Sequence, residues 1–285
     1  MAINYEKLLN RKFERIDQKY TEKDTILYAL GVGMGIDPLD NNCLPFVYED
    51  GLKALPSMSV VMAYPGFWAK EPDTGIDWVK VLHAGQEVVM HKPLPASGHV
   101  YATTRVTDVI DKGEGKGALI LSERTVRDAA TDEALCTLSM TTMARGDGGF
   151  GGPSTQSPKP DPLPEREPDL LCELPTLQQQ ALIYRLSGDY NPLHADPEVA
   201  RNAGFKAPIL HGLCTFGVAC HALLKTLCDN DPARFHRMRV RFSAPVYPGE
   251  TIRTEIWREG GYVAFRCRSV EQDLVVINNG YAEVS

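Results

Sequence analysis

Apolar and polar positions follow two periods along this chain, and the longest helical stretch begins at His211-Gly212. From there Leu213, Phe216, Gly217, Cys220, Leu223, Leu224 and Leu227 recur at three- and four-residue intervals, the spacing of a helix with a buried face. A shorter helix is predicted over 21–33, where Thr21-Glu-Lys-Asp24 has the form of a capping box. Period-two alternation with many β-branched residues marks strands at 100–106, 118–122 and 135–141, and again at 237–242, 251–257, 262–267 and 274–278. Glycine-bearing turns such as Arg258-Glu-Gly-Gly261 imply hairpins and antiparallel pairing. An apolar helix followed by antiparallel strands predicts an α+β unit with the helix packed on the sheet.

The pattern occurs twice. Tyr28-Ala-Leu-Gly-Val-Gly33 matches Tyr184-Arg-Leu-Ser-Gly-Asp189, and each is followed by a related tetrapeptide, Asp37-Pro-Leu-Asp40 and Asn191-Pro-Leu-His194. The offset of about 155 residues predicts two copies of one unit. Residues 146–168 hold six prolines from Pro153 onward and read as a semi-extended linker, dividing the chain into units 1–145 and 169–285. The linker starts with Gly148-Gly-Phe-Gly-Gly152. Such glycines can approach a phosphate, although without a strand–helix context they are more often turns.

Composition narrows the function classes. A hydrophobic content of 43% over 285 residues supports a sizeable core. No apolar run reaches the length of about 18 residues that a membrane span needs. The charged N-terminus lacks a secretory core, and Ala282-Glu-Val-Ser285 is not a peroxisomal address, so the expected location is cytoplasmic. Seven cysteines without paired spacing indicate a reducing compartment, and seven dispersed histidines give no reason to expect a catalytic metal. The net charge of −7 argues against a nucleic-acid partner.

The chemistry is concentrated between Tyr184 and His194. Asp189, Asn191 and His194 lie within six residues, and Gly188 and Pro192 interrupt the segment Tyr184–His194, so it is an ordered loop rather than a helix. Shortly afterwards Gly212 opens the apolar helix, where free N–H groups and the positive end of the helix dipole meet. A carboxylate and an imidazole can hold a water and move its protons, and a helix N–H can bind an oxygen on which charge develops. These are the parts needed to add water to, or remove it from, a polarised double bond. The plainer reading makes Asp189 and Asn191 turn and capping residues and each histidine structural. The first copy has Gly33 in place of Asp189 and Asp40 roughly in place of His194. It is thereby free for another task, such as holding a substrate's tail.

The stretch YRLSGDYNPLHADPEVARNAGFKAPILHGLCTFG resembles the signature of the hydratase 2 family, the R-specific 2-enoyl-CoA hydratases with MaoC-like domains. The likeness extends to YTEKDTILYALGVG at 20–33, GGFGG at 148–152 and VYPGETIRTEIW at 246–257, similar to the hydratase part of multifunctional enzyme type 2. The resemblance implies two tandem hot-dog units, each an antiparallel sheet wrapped round a long helix. It also implies reversible syn hydration of trans-2-enoyl-CoA to (3R)-3-hydroxyacyl-CoA of medium or long chain, with no cofactor beyond the CoA of the substrate. Asp189 and His194 would share the water, Asn191 would help to position it, and Gly212 would supply the oxyanion N–H. His83, Ala84, Lys112, Tyr190, Pro192, Leu193 and Phe242 would contact the acyl-CoA. Ala84 stands where the family leads us to expect glycine. His83 and Lys112, read from the sequence alone, are surface-loop residues. His211 is expected to tie down the loop rather than act as a second base. The resemblance further implies a homodimer. A hot-dog thioesterase and a non-catalytic acyl-CoA or acyl-carrier binding protein are the alternatives.

Overall fold

The computed structural model describes residues 3–154 and 161–285; positions 155–160, in the middle of the expected linker, lie outside them. Ten strands are present: β1 (Ile16–Tyr20), β2 (Val81–Met90), β3 (Gly98–Asp111), β4 (Ala118–Asp128), β5 (Ala134–Ala144), β6 (Leu170–Pro175), β7 (Phe235–Phe242), β8 (Thr251–Glu259), β9 (Tyr262–Ser269) and β10 (Leu274–Val284). The helices are α1 (Tyr5–Leu9), α2 (Glu22–Gly31), α3 (Leu44–Val47), α4 (Gln180–Tyr184), α5 (Pro197–Asn202) and α6 (Gly212–Leu227).

All ten strands form one sheet in the order β1-β3-β4-β5-β2-β7-β10-β9-β8-β6, and every pairing is antiparallel. Read outward from the centre, each half runs through its strands in the same sequence, so the tandem repeat is built into the topology. The halves meet where Gly85–Val89 of β2 pair with Arg241–Arg237 of β7. The fold is the expected double hot-dog. No helix among the described residues is long and apolar enough to cross a membrane.

The second half wraps its sheet around α6, where every residue from Cys214 to Leu224 is buried. The first half differs. At the repeat offset from Gly212 stands Pro56, and Pro56–Val61 forms only a short 3-10 turn. The proline and the irregular chain that follows leave this unit without the long helix expected of it; Met58, Val60 and Met62 of that chain are buried in the core with strand residues such as Val88, Val126 and Leu138.

The short helices of the two copies pack against each other. The rings of Tyr28 and Tyr184, equivalent in the repeat, are both buried with centroids 5.8 Å apart. The carbonyls at the end of α2 need partners outside the helix. Gln180 Nε2 donates to Leu30 O at 3.1 Å and Gly31 O at 2.6 Å, and Cys214 Sγ–H donates to Gly31 O at 3.2 Å. The predicted capping box at Thr21 and Asp24 is present at the other end. α2 crosses α6 at Gly217, where an added Cβ would lie 2.4 Å from a Val32 methyl and 3.0 Å from the Tyr28 hydroxyl.

That crossing is testable. Alanine in a helix interior ordinarily gains about 1 kcal/mol over glycine, yet Gly217→Ala is expected to lose about 1–3 kcal/mol by overpacking. Urea unfolding would measure it, and an unchanged or raised midpoint would contradict this packing.

Candidate active site

α4 and a 3-10 turn at Arg185–Ser187 deliver the chain to Gly188, whose φ of 127° is available to glycine and strained for other residues. The reversal turns Asp189 towards the start of α6. Its Oδ1 accepts the Asn191 N–H at 3.2 Å. Asn191 Oδ1 in turn accepts the Leu193 N–H at 3.1 Å and caps a 3-10 turn at Pro192–His194. These are the turn and capping roles of the plainer reading, and here they aim the loop. The Asn191 side chain is exposed and its Oδ1 is taken up by the cap. Tyr190 and Pro192 are exposed, Leu193 is half-buried, and Arg185 lies 5.0 Å from the centre of the Tyr190 ring.

Two histidines converge on Asp189. His194 is buried, and its Nδ1 lies 2.8 Å from Ile209 O. A carbonyl can only accept, so Nδ1 carries the proton and the lone pair of the neutral ring is on Nε2. His211 Nε2 donates to Asp189 O at 3.2 Å, which is the loop-tying role expected of it. The two rings stack with centroids 3.7 Å apart. Burial pushes the His194 pKa below its ordinary 6.5. Burial, helped by the neighbouring His194, lowers that of His211 to about 4. Both rings are therefore neutral near pH 7. One ligating atom from each of Asp189, His194 and His211 lies within 4.8 Å of the others. Such a cluster can hydrogen-bond one water, and its donor set could equally hold a cation.

His211 is the N-cap of α6 with no side-chain capping bond. The N–H groups of Gly212 and Leu213 are thus left pointing out of the helix without an intrahelical acceptor. Around Gly212 stand two of the other expected residues. A Cβ on Gly212 would lie 3.6 Å from the Phe242 ring, and the His83 ring meets Phe242 edge-on at 5.0 Å. His83 is not in a loop, as its sequence context suggested. It lies on β2, half-buried, with Nε2 donating to Gly85 O at 3.0 Å, and burial lowers its pKa to about 4. Ala84 sits at the register shift between His83 and Gly85, a bulge that breaks the strand's alternation. The residue after Ala84, Gly85, is the one held close to a neighbouring backbone: a Cβ there would come within 3.0 Å of Val240 O.

Lys112 does lie on the surface. It is exposed, beyond the end of β3 and three strands across from His83 at the same end of the sheet, about 14 Å away at the usual strand spacing. The glycine-rich segment does not offer its amides to a phosphate. Asp111 Oδ1 accepts the N–H groups of Gly149 at 2.7 Å and Gly113 at 2.8 Å, and Oδ2 accepts that of Gly151 at 2.9 Å. These bonds hold the Asp111 carboxyl below the usual carboxylate range. The motif search missed Tyr64, Gln86 and Arg124, which line a cavity that also includes Leu213. Alternation puts Arg124 on one strand face with Ser122 and Val126, but does not say whether that face meets solvent or a cavity.

The geometry predicts that an NMR titration will give His194 an imidazole midpoint below 6.5, because its cationic form is the desolvated one. A midpoint at or above 6.5 would show that the ring is not held in this environment.

Residues 160–280 match the model of the MaoC-like domain, and residues 18–146 match that of the MFE-2 hydratase 2 N-terminal domain. The chain is 41% identical over 288 residues to the enoyl-CoA hydratase ChsH3 of Mycobacterium tuberculosis, covering 98% of each chain. It is 39% identical over 285 residues to the peroxisomal multifunctional enzyme type 2 of Mus musculus, where 97% of this chain spans 38% of that longer protein. The crystal structure of a MaoC-like dehydratase from Phytophthora capsici superposes with a TM-score of 0.88 at 35% identity, covering 99% of this chain and 98% of that one. On this likeness, which runs through both units, the chain belongs to the MaoC-like hydratase 2 family.

Proposed function

We propose that this protein reversibly adds water across the double bond of trans-2-enoyl-CoA to give (3R)-3-hydroxyacyl-CoA, on medium to long chains. The observation that carries the reading is the cluster of Asp189, His194 and His211, with ligating atoms within 4.8 Å of one another, at the N-cap of α6. Relatives named as an enoyl-CoA hydratase and a 3-hydroxyacyl-thioester dehydratase, both from Mycobacterium tuberculosis, support the same chemistry.

In the reaction one water is held between Asp189 and His194. Its oxygen forms the bond to C3, and the pair takes up a proton as it does so. The electrons of the double bond move towards the thioester carbonyl, and C2 receives a proton from the pair. Overall, water is divided between C3 and C2, and no oxidant or cofactor is consumed. The two groups are coupled, so acid and base roles belong to the pair rather than to either residue. Negative charge on the thioester oxygen is met by Gly212 N–H at the positive end of α6, a contribution of about 2.7–4 kcal/mol for one such donor. Both groups stand on one side of the substrate, which makes the addition syn. Asn191 Nδ2 is free to bond the water. His83, Phe242, Tyr190, Pro192 and Leu193 would contact the thioester and pantetheine, with Lys112 within reach of the nucleotide. The cavity lined by Tyr64, Gln86, Arg124 and Leu213 would take part of the acyl tail.

Asp189→Asn and His194→Gln should each lower kcat at least about a hundredfold, the lower end for general acid–base catalysis, with the thermal midpoint still showing a folded protein. The assay is loss of the conjugated enoyl-thioester absorbance, coupled to a 3R- or a 3S-specific dehydrogenase; only the 3R enzyme should respond. Near-normal rates in both variants would overturn the assignment. Release of free CoA from a saturated acyl-CoA would favour a thioesterase. A wild-type rate that collapses after chelation and returns with Zn²⁺ would mean that the cluster holds a metal rather than a water.

A further inference from the structure

The sheet of the first unit carries a charge that a plain hydrocarbon tail would have no use for. Along β4 the inward positions are Ala118, Ile120, Ser122, Arg124 and Val126, all buried. Four of these are small or apolar, and one is a guanidinium only 8% exposed. Arg124 Nη2 donates to Val60 O at 2.6 Å, and the group lies 5.3 Å from the centre of the Tyr64 ring. Its Nε has no hydrogen-bond partner. Among the described residues no carboxylate forms an ion pair with it. Burial without a counter-charge lowers its pKa to about 10. Buried charges are ordinarily paired, so a guanidinium with an unused edge lacks a partner that the chain does not supply.

The cavity that Arg124 lines indicates the kind of partner. Arg124 lines a cavity together with Tyr64, Gln86, Thr104, Ser122 and Leu213. Thr104 pairs with Arg124 across β3–β4, while Ser122 and Gln86 both pair with Met140 of β5. Four polar side chains therefore gather on the concave face that the missing helix would otherwise cover. At the other side of the cavity, Leu213 is the residue after the oxyanion donor Gly212. Gln86 lies on β2, three residues beyond His83. β4 is two strands from β2, about 10 Å at the usual spacing. Leu213 and Arg124 line the same cavity, so a chain whose thioester sat at Gly212 would extend towards Arg124.

We propose that this cavity takes the distal part of an acyl chain bearing an oxygen acceptor, a carboxylate or a ketone, and that Arg124 is the residue that selects it. The inference rests on the hydratase reading and narrows its substrate class. The alternative role for Arg124 is purely structural, closing the last turn of Pro56–Val61 by bonding Val60 O.

The experiment uses the full chain and sets of trans-2-enoyl-CoA of equal length that end in a methyl group, a methyl ketone or a carboxylate. Wild-type kcat/KM should favour at least one oxygenated member over the methyl member by roughly tenfold or more, the scale of one hydrogen bond to a charged group. In Arg124→Gln the ratio should fall to near unity. A structural Arg124 would lower the whole set alike and leave the ratio unchanged, which would overturn the proposal, as would the absence of any preference in the wild type. The wild-type comparison stands even if the variant folds poorly. Crotonyl-CoA, too short to reach the cavity, separates the two layers. If the wild type does not hydrate it or any longer chain, the hydratase reading falls and this inference with it. If it is hydrated but oxygenated chains are not preferred, the inference alone falls.

Discussion

Two imidazole-to-carbonyl hydrogen bonds hold the site together. His194 donates to Ile209 O and His211 to Asp189 O, so each ring ties the loop to the segment just before α6. The bonds also decide the chemistry. Each carbonyl fixes the tautomer of the ring it binds, and the burial that makes those bonds necessary also keeps both rings neutral. What remains on His194 is one lone pair, on a ring clustered with Asp189 and His211. The rest of the structure serves this arrangement. Gly188 makes the turn that brings Asp189 round, Asn191 caps the turn that orients His194, and Tyr184 supports His211 from below with ring centroids 5.0 Å apart.

The two copies share one topology but have diverged in what their concave faces hold. The second keeps a long buried helix, and the N-cap of that helix, His211, is part of the cluster with Asp189 and His194. The first has a 3-10 turn at the equivalent place, with a cavity at Tyr64, Gln86 and Arg124 beside it. The copies are not independent, because β2 and β7 join them in one sheet, and α2 packs against α4 while Gly31 O accepts from both Gln180 and Cys214. A cavity beside a helix N-terminus is a natural arrangement for a substrate with a reactive head and a long tail.

What could be read in the sequence depended on how local its cause was. Asp189, His194 and Gly212 were visible because glycine, proline and a capping asparagine fix that loop within a few residues. Seven strands with clean alternation were visible too. The missed strands each break the pattern for a physical reason. β1 is a short, polar edge strand, β6 is an edge strand ending in Pro175, and β2 is interrupted by the bulge at Ala84. The misplacement of His83 in a loop follows from that bulge. The GGFGG amides could not be assigned in advance, because their acceptor, Asp111, is 38 residues from the nearer glycine it binds. The missing helix of the first unit was legible only in hindsight, in Pro56. Arg124 was hidden because alternation marks a face without saying whether that face is solvent or cavity.

The central claim is that Asp189 and His194 act together, from one side of the substrate, on a single water. Hydration in D₂O, followed by NMR assignment of the deuterium at C2 relative to the hydroxyl at C3, tests it most directly. The account predicts deuterium on the same face as the new hydroxyl, with 3R configuration. Deuterium on the opposite face would place acid and base on opposite sides of the double bond and contradict the shared-water pair.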